Sequence, residues 1–173
     1  MGFSTVLIYA VIGVAAGFAA HRIFLRMPDS WLLDYDQSEI PDGFSKTRAF
    51  PFVFQGLVLV LLNALLYCRV PYAVTGGWEI AAALMAIPIL LLILVADLKT
   101  RIIPDQLTVA LIVPGVLRAI GSLIGGKPIL YAVGRPVLAA LVAGGSLLLI
   151  GLTGQWLLKK EAMGMGDVKM IAA

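Results

Sequence analysis

The chain has 173 residues, is 61% hydrophobic and 13% charged, and carries a formal net charge of +3. Its mean hydropathy of +0.99 excludes a soluble domain of this size, whose surface-to-volume ratio would leave much of that apolar material in water. A single cysteine, Cys68, and a single histidine, His21, exclude an intrachain disulfide, a cysteine-based zinc site and a multi-histidine metal centre. No basic stripe interleaved with aromatics is present, so the positive charge speaks for membrane orientation and not for nucleic acid. The expected class is an all-α, polytopic transmembrane bundle. It has five full spans and the start of a sixth, and forms a single membrane-embedded domain over residues 1–173.

The first span is predicted from about Phe3 to Phe24. Its basic residues, Arg22 and Arg26, come near or after its end, which suits an uncleaved span with the N-terminus outside. Gly13 and Gly17 form a small-xxx-small face on which another helix can approach closely. Leu25 to Phe50 is too polar to cross a bilayer. It holds Asp29, Asp34, Asp36, Glu39, Lys46 and Arg48, and Pro41-Asp42-Gly43 marks a turn. Trp31, Leu32 and Leu33 are expected beside the lipid headgroups. The acidic cluster reads as a solvated loop.

A second span is predicted from about Pro51 to Cys68, with Asn63 bonding to a neighbouring helix. Arg69 to Glu79 is expected to form an external loop. A third span from about Ile80 to Ala96 contains Pro88, which should kink it and whose missing N–H frees a carbonyl that a neighbouring helix should re-satisfy. A charged border from Asp97 to Asp105 follows, with a helix boundary before Pro104. The fourth span runs from about Leu107 to Ile124, and Gly125-Gly126 supplies the next turn. The fifth runs from about Arg135 to Leu158, with Ala140 and Gly144 as a small face for close helix contact. Val168 to Ala173 starts another apolar run that stops short of the about 20 residues a span needs, as in a cut chain or one lacking its last helix.

Counted by loop, Arg22, Arg26, Lys46, Arg48, Lys99, Arg101, Lys159, Lys160 and Lys169 fall inside. Arg69, Arg118, Lys127 and Arg135 fall outside. Asp97, Asp105 and Asp167 then share the cytoplasmic side. Carboxylates at a membrane border are costly to keep and point to function. Two of them close together share a proton. The ionised partner can activate water, and the protonated one can donate to a carbonyl oxygen or a leaving amine. Such a pair hydrolyses a peptide without metal, cysteine or serine. Glycines before Asp167 would let a substrate strand come close. The bland alternatives are Asp167 as a helix N-cap, Asp97 paired with Lys99 or Arg101, and Asp105 as a turn residue.

Two blocks carry a family resemblance. One is Asp97, Ile103-Pro104-Asp105-Gln106-Leu107-Thr108 and Pro114-Gly115. The other is Gly164-Met165-Gly166-Asp167-Val168-Lys169. With Arg26-Met27-Pro28 after the first span, they resemble the type IV prepilin peptidases, membrane aspartic proteases of the GxGD class. The resemblance implies a catalytic pair of Asp97 and Asp167, with Pro104, Asp105, Gly164, Gly166 and Lys169 as motif or supporting residues. It implies cleavage of prepilin and type II secretion pseudopilin leaders at the cytoplasmic face of a bacterial inner membrane, with no cofactor for proteolysis. Many members also N-methylate the new terminus with S-adenosylmethionine. Many hold two Cys-x-x-Cys pairs in the first cytoplasmic loop, which Leu25 to Phe50 lacks. Two other classes stay in view. One is a small transporter or proton relay, which would place carboxylates at mid-span and often show an internal repeat. The other is an inactive assembly partner of a pilus or secretion machine.

Overall fold

The computed structural model describes residues 3–33, 44 and 49–158. Helix α1 spans Phe3–Arg26, and a short 3₁₀ turn follows at Asp29–Trp31. A π-helical turn at Phe52–Gly56 runs into α2, Leu57–Ala73. Helix α3 spans Gly77–Thr100 and α4 spans Asp105–Ile124. A second π-helical turn at Leu130–Gly134 leads into α5, Arg135–Leu158. There is no strand among the described residues. Five helical stretches are long and apolar enough to cross a membrane, and the protein is a multi-pass membrane protein.

Helices α1 and α2 pack along each other, as do α3 and α4, and α2 against α3 joins the two pairs. Glycine sets the first contact. A Cβ added at Gly13 would stand 2.7 Å from the Ala64 Cα, and one at Gly17 would stand 2.7 Å from the Val60 Cα. The small face therefore lets two backbones approach closely, as the sequence leads one to expect. This approach has a cost at Asn63. It lies fully buried under Gly17, and neither its amide nitrogen nor its oxygen has a hydrogen-bond partner. The expected interhelical bond is absent because the facing backbone of α1 spends its donors and acceptors on its own helical ladder.

The carbonyl freed by Pro88 is re-satisfied as anticipated. The proline lies within the continuous helix α3 and cannot donate to the carbonyl four residues earlier, on Leu84. The Tyr67 hydroxyl of α2 donates to that Leu84 oxygen at 2.6 Å. A neighbouring helix thus supplies the donor that the proline removes.

Three further expectations need correction. Helix α2 does not stop at Cys68 but continues through Arg69 and Pro71 to Ala73. Val70 and Pro71 are buried there, so packing offsets the bond that Pro71 cannot make. Only Val74 to Gly76 is left as a link, with Gly76 at φ 110°. Helix α3 likewise runs beyond Ala96 to Thr100, so the charged border narrows to residues 101–104. Leu32 is not a headgroup anchor. It is fully buried in a cluster with Phe24, Met27, Phe50, Leu92 and Ala96. The turn after α1 produces this placement, because the Trp31 N–H donates to the Pro28 oxygen and the Leu32 N–H to the Asp29 oxygen.

Helix α5 leaves Leu138, Leu141, Val142, Leu149 and Ile150 exposed, as befits a lipid-facing helix. Its main contact among the described elements is with the π-helical turn before it. The small face expected there has Ala140 half-buried and Gly144 buried, without a packed contact to α1, α2 or α3 among the described residues.

Candidate active site

The Asp97 end of the bundle is built from four chain segments: the end of α1, the start of the π-helical turn, the end of α3 and the start of α4. The buried cluster is concentrated there, through Phe24, Met27, Leu32, Phe50, Ala96 and Leu107. Asp97 itself lies in the last turn of α3, exposed, next to fully buried Ala96. That turn is closed by three bonds. Arg101 adopts a left-handed conformation, φ 57°, and its N–H donates to the Asp97 carbonyl oxygen at 2.8 Å. The Thr100 hydroxyl donates to the Ala96 oxygen at 2.9 Å. The Lys99 ammonium donates to the Ala49 oxygen at 2.7 Å and lies 5.7 Å over the Phe50 ring. This last tether joins α3 to the start of the second span, and no motif or periodicity announces it.

Pro104 caps α4 in an extended conformation and is fully buried. Its oxygen accepts from the Leu107 N–H at 3.1 Å and from the Thr108 N–H at 3.2 Å. The buried Thr108 hydroxyl adds a longer contact to the same oxygen. Asp105, partly buried, is the first residue of the helix. An anion there is favoured by the helix macrodipole, so helix stability alone explains Asp105. Asp97 is the opposite case. It stands in the last turn of a helix, where the macrodipole does not favour a carboxylate. Helix stability does not explain Asp97.

Asp97, Pro104 and Asp105 are thus brought to one end of the bundle, on the α3–α4 turn. Asp167, Gly164, Gly166 and Lys169 lie outside the described residues. Among the described residues, no cluster of His, Cys, Asp or Glu has the makings of a metal site.

The profile of the type IV leader peptidase family matches residues 84–173, just over half of the chain. The chain belongs to the type IV leader peptidase family. The match takes in Asp97, Asp105 and Asp167 together. The chain is 38% identical over 117 residues to a prepilin leader peptidase/N-methyltransferase of Aeromonas salmonicida strain A449, covering 65% of this chain and 37% of that relative. It is 37% identical over 117 residues to the protein of the same name in Aeromonas hydrophila, with the same coverage of 65% and 37%. A third relative, from Xanthomonas campestris pv. campestris, is 30% identical over 135 residues, covering 76% of this chain and 44% of that protein. The aligned part of the chain therefore spans less than half the length of these curated relatives. No solved structure matches the chain.

Within the described part of this chain, Asp97 in the last turn of α3 and Asp105 at the first residue of α4 stand at the end of the bundle where the buried cluster is concentrated. The rotation of α3 is set by Ile93 and Ala96, both buried, which leaves Asp97 turned outward.

Proposed function

We propose that this chain is a membrane aspartic endopeptidase that removes the leader peptides of prepilins and of type II secretion pseudopilins. The observation that carries the proposal is the family match over residues 84–173, which contains the Asp97 block and the Gly164-Met165-Gly166-Asp167 block in one segment. The helix-end position of Asp97, against its own macrodipole, supports a chemical role for that residue. Asp97 and Asp167 form the catalytic pair. The ionised carboxylate takes a proton from water as the water oxygen attacks the scissile carbonyl. The protonated carboxyl donates to the carbonyl oxygen, and the leaving amine is protonated as the C–N bond breaks. Because the two groups titrate as a pair, neither is assigned a fixed role as acid or base. Asp105 supports the turn. The N-terminus faces outward and the Asp97 end faces the cytoplasm of a bacterial inner membrane, in accord with the excess of Lys and Arg in the segments on that side.

The test is cleavage of a prepilin leader by the protein in detergent. Wild type cleaves, and Asp97→Asn and Asp167→Asn do not, while remaining helical by circular dichroism. Cleavage at the wild-type rate by either variant removes that residue from the mechanism. The same assay with labelled S-adenosylmethionine tests the second activity carried in the relatives' names.

A further inference from the structure

A groove of about 500 Å³ opens on the side of the bundle between the start of α2 and the end of α3. That volume lies within the about 300–1,000 Å³ of pockets that hold a small molecule. Its walls change character with depth. At the end nearest the α3 C-terminus stand Lys99 and Phe50. One turn further in, Gln55 contributes its side-chain amide, whose oxygen is closed off from solvent and has no hydrogen-bond partner. Beyond it the lining is wholly aliphatic, with Val58 and Leu62 from α2 and Leu91 and Leu94 from α3. Charge, then a polar amide, then hydrocarbon is the order of a glycerophospholipid read from phosphate through glycerol ester to acyl chain.

We propose that this groove binds a phospholipid with an anionic headgroup. The Lys99 ammonium has three donors and spends one on the Ala49 oxygen, which leaves others for a phosphate. The nearby acid, Asp97, does not cancel Lys99 at the groove. Two residues of helix carry a side chain about 200° around the axis, and Asp97 is not among the groove's lining residues. The Gln55 side-chain amide is the polar group of the lining at the glycerol level. The acyl chain lies along the aliphatic wall. Leu94 and Val58 are exposed at its edge, so the groove is entered laterally from the bilayer.

This binding is independent of peptide cleavage and is read without a cleavage assay. Purified protein in detergent is offered phosphatidylglycerol or phosphatidylcholine of the same chain length, and retained lipid is weighed by native mass spectrometry. Wild type retains phosphatidylglycerol in preference, by about fivefold, the effect of one lysine at an anionic headgroup. Lys99→Gln keeps a donor for the Ala49 oxygen but loses the charge, and its preference falls to near one. Lys99→Arg keeps the preference. Val58→Trp fills the groove and retains neither lipid, while its circular dichroism stays that of the wild type. Equal retention of both lipids by the wild type overturns the proposal. So does an intact preference in Lys99→Gln, undiminished retention in a folded Val58→Trp, or retention of an added apolar helical peptide without lipid.

Discussion

Tyr67→Phe tests how this bundle tolerates a proline in mid-span. The perturbation removes one oxygen from a buried ring and leaves its shape unchanged. In the wild type that hydroxyl donates to the Leu84 oxygen at 2.6 Å, the carbonyl left without a helical donor by Pro88. An unsatisfied buried carbonyl costs about 1–3 kcal/mol in water-soluble proteins. Interhelical hydrogen bonds in membranes average about 0.6 kcal/mol, with a maximum of about 1.7. Because the Leu84 carbonyl has no second donor within its own helix, Tyr67→Phe is placed near the upper figure, at about 1.5 kcal/mol. The decisive measurement repeats the substitution in a Pro88→Ala background. The alanine there restores an N–H to the Leu84 oxygen, so removing the hydroxyl costs less than about 0.5 kcal/mol. The assay is reversible unfolding in mixed detergent and sodium dodecyl sulfate micelles, followed by circular dichroism. The coupling energy of the double-mutant cycle is then about 1 kcal/mol. If Tyr67→Phe costs the same in both backgrounds, the hydroxyl is not standing in for the lost helical bond, and the reasoning fails.

Further outcomes can be measured with the same preparation. Gly17→Leu drives a side chain into the Val60 backbone and should lower stability by about 1–3 kcal/mol, whereas Gly145→Ala, with nothing within 4 Å of the added carbon, should leave it unchanged or slightly raise it. Leu32→Ala should cost about 2–5 kcal/mol as a core truncation; a loss below about 0.5 kcal/mol would return Leu32 to the surface. In leader cleavage, Asp97→Asn and Asp167→Asn should be inactive. Asp105→Asn should retain activity and lose about 0.3–1 kcal/mol of stability at the α4 N-terminus.

The spans were legible because apolar runs of this length have only one stable use. The Gly13–Gly17 face and the rescue of the Pro88 carbonyl were legible for a related reason. In lipid, close backbone approach and satisfied carbonyls are constraints that few residues can meet. Charges and prolines are poor markers of helix ends in this chain. Arg69 and Pro71 remain helical because burial of Val70 and Pro71 holds the last turn of α2. Asp97 remains helical because the end of α3 is fixed by the left-handed Arg101, and Pro104 marks the next helix's start. Leu32 lies in a short apolar stretch between Asp29 and Asp34, and only the turn over Pro28–Leu32 shows that it folds back into the core. Of the candidate site, the Asp97 half could be read from its motif. The Lys99 tether could not, since it joins residues 50 apart in the chain.

Helix α3 is anchored at both ends by contacts of different strength, and the difference bears on the site. At the end away from Asp97, Glu79 pairs with Lys127 at 3.2 Å, with both side chains partly exposed. A pair of that kind contributes little, because water screens it. Trp78 packs closely on Gly121 beside it. At the Asp97 end, the helix is seated by buried Leu92, Ile93 and Ala96, by the Lys99 bond to Ala49, and by the closed turn at Arg101. The seat is therefore firmest where the exposed carboxylate stands. A carboxylate meant only to be solvated would need no such support, because a mobile helix end hydrates it equally well. A carboxylate that must hold one position relative to a reacting carbonyl does need it, since a misplacement of about 1 Å can cost about a hundredfold in rate.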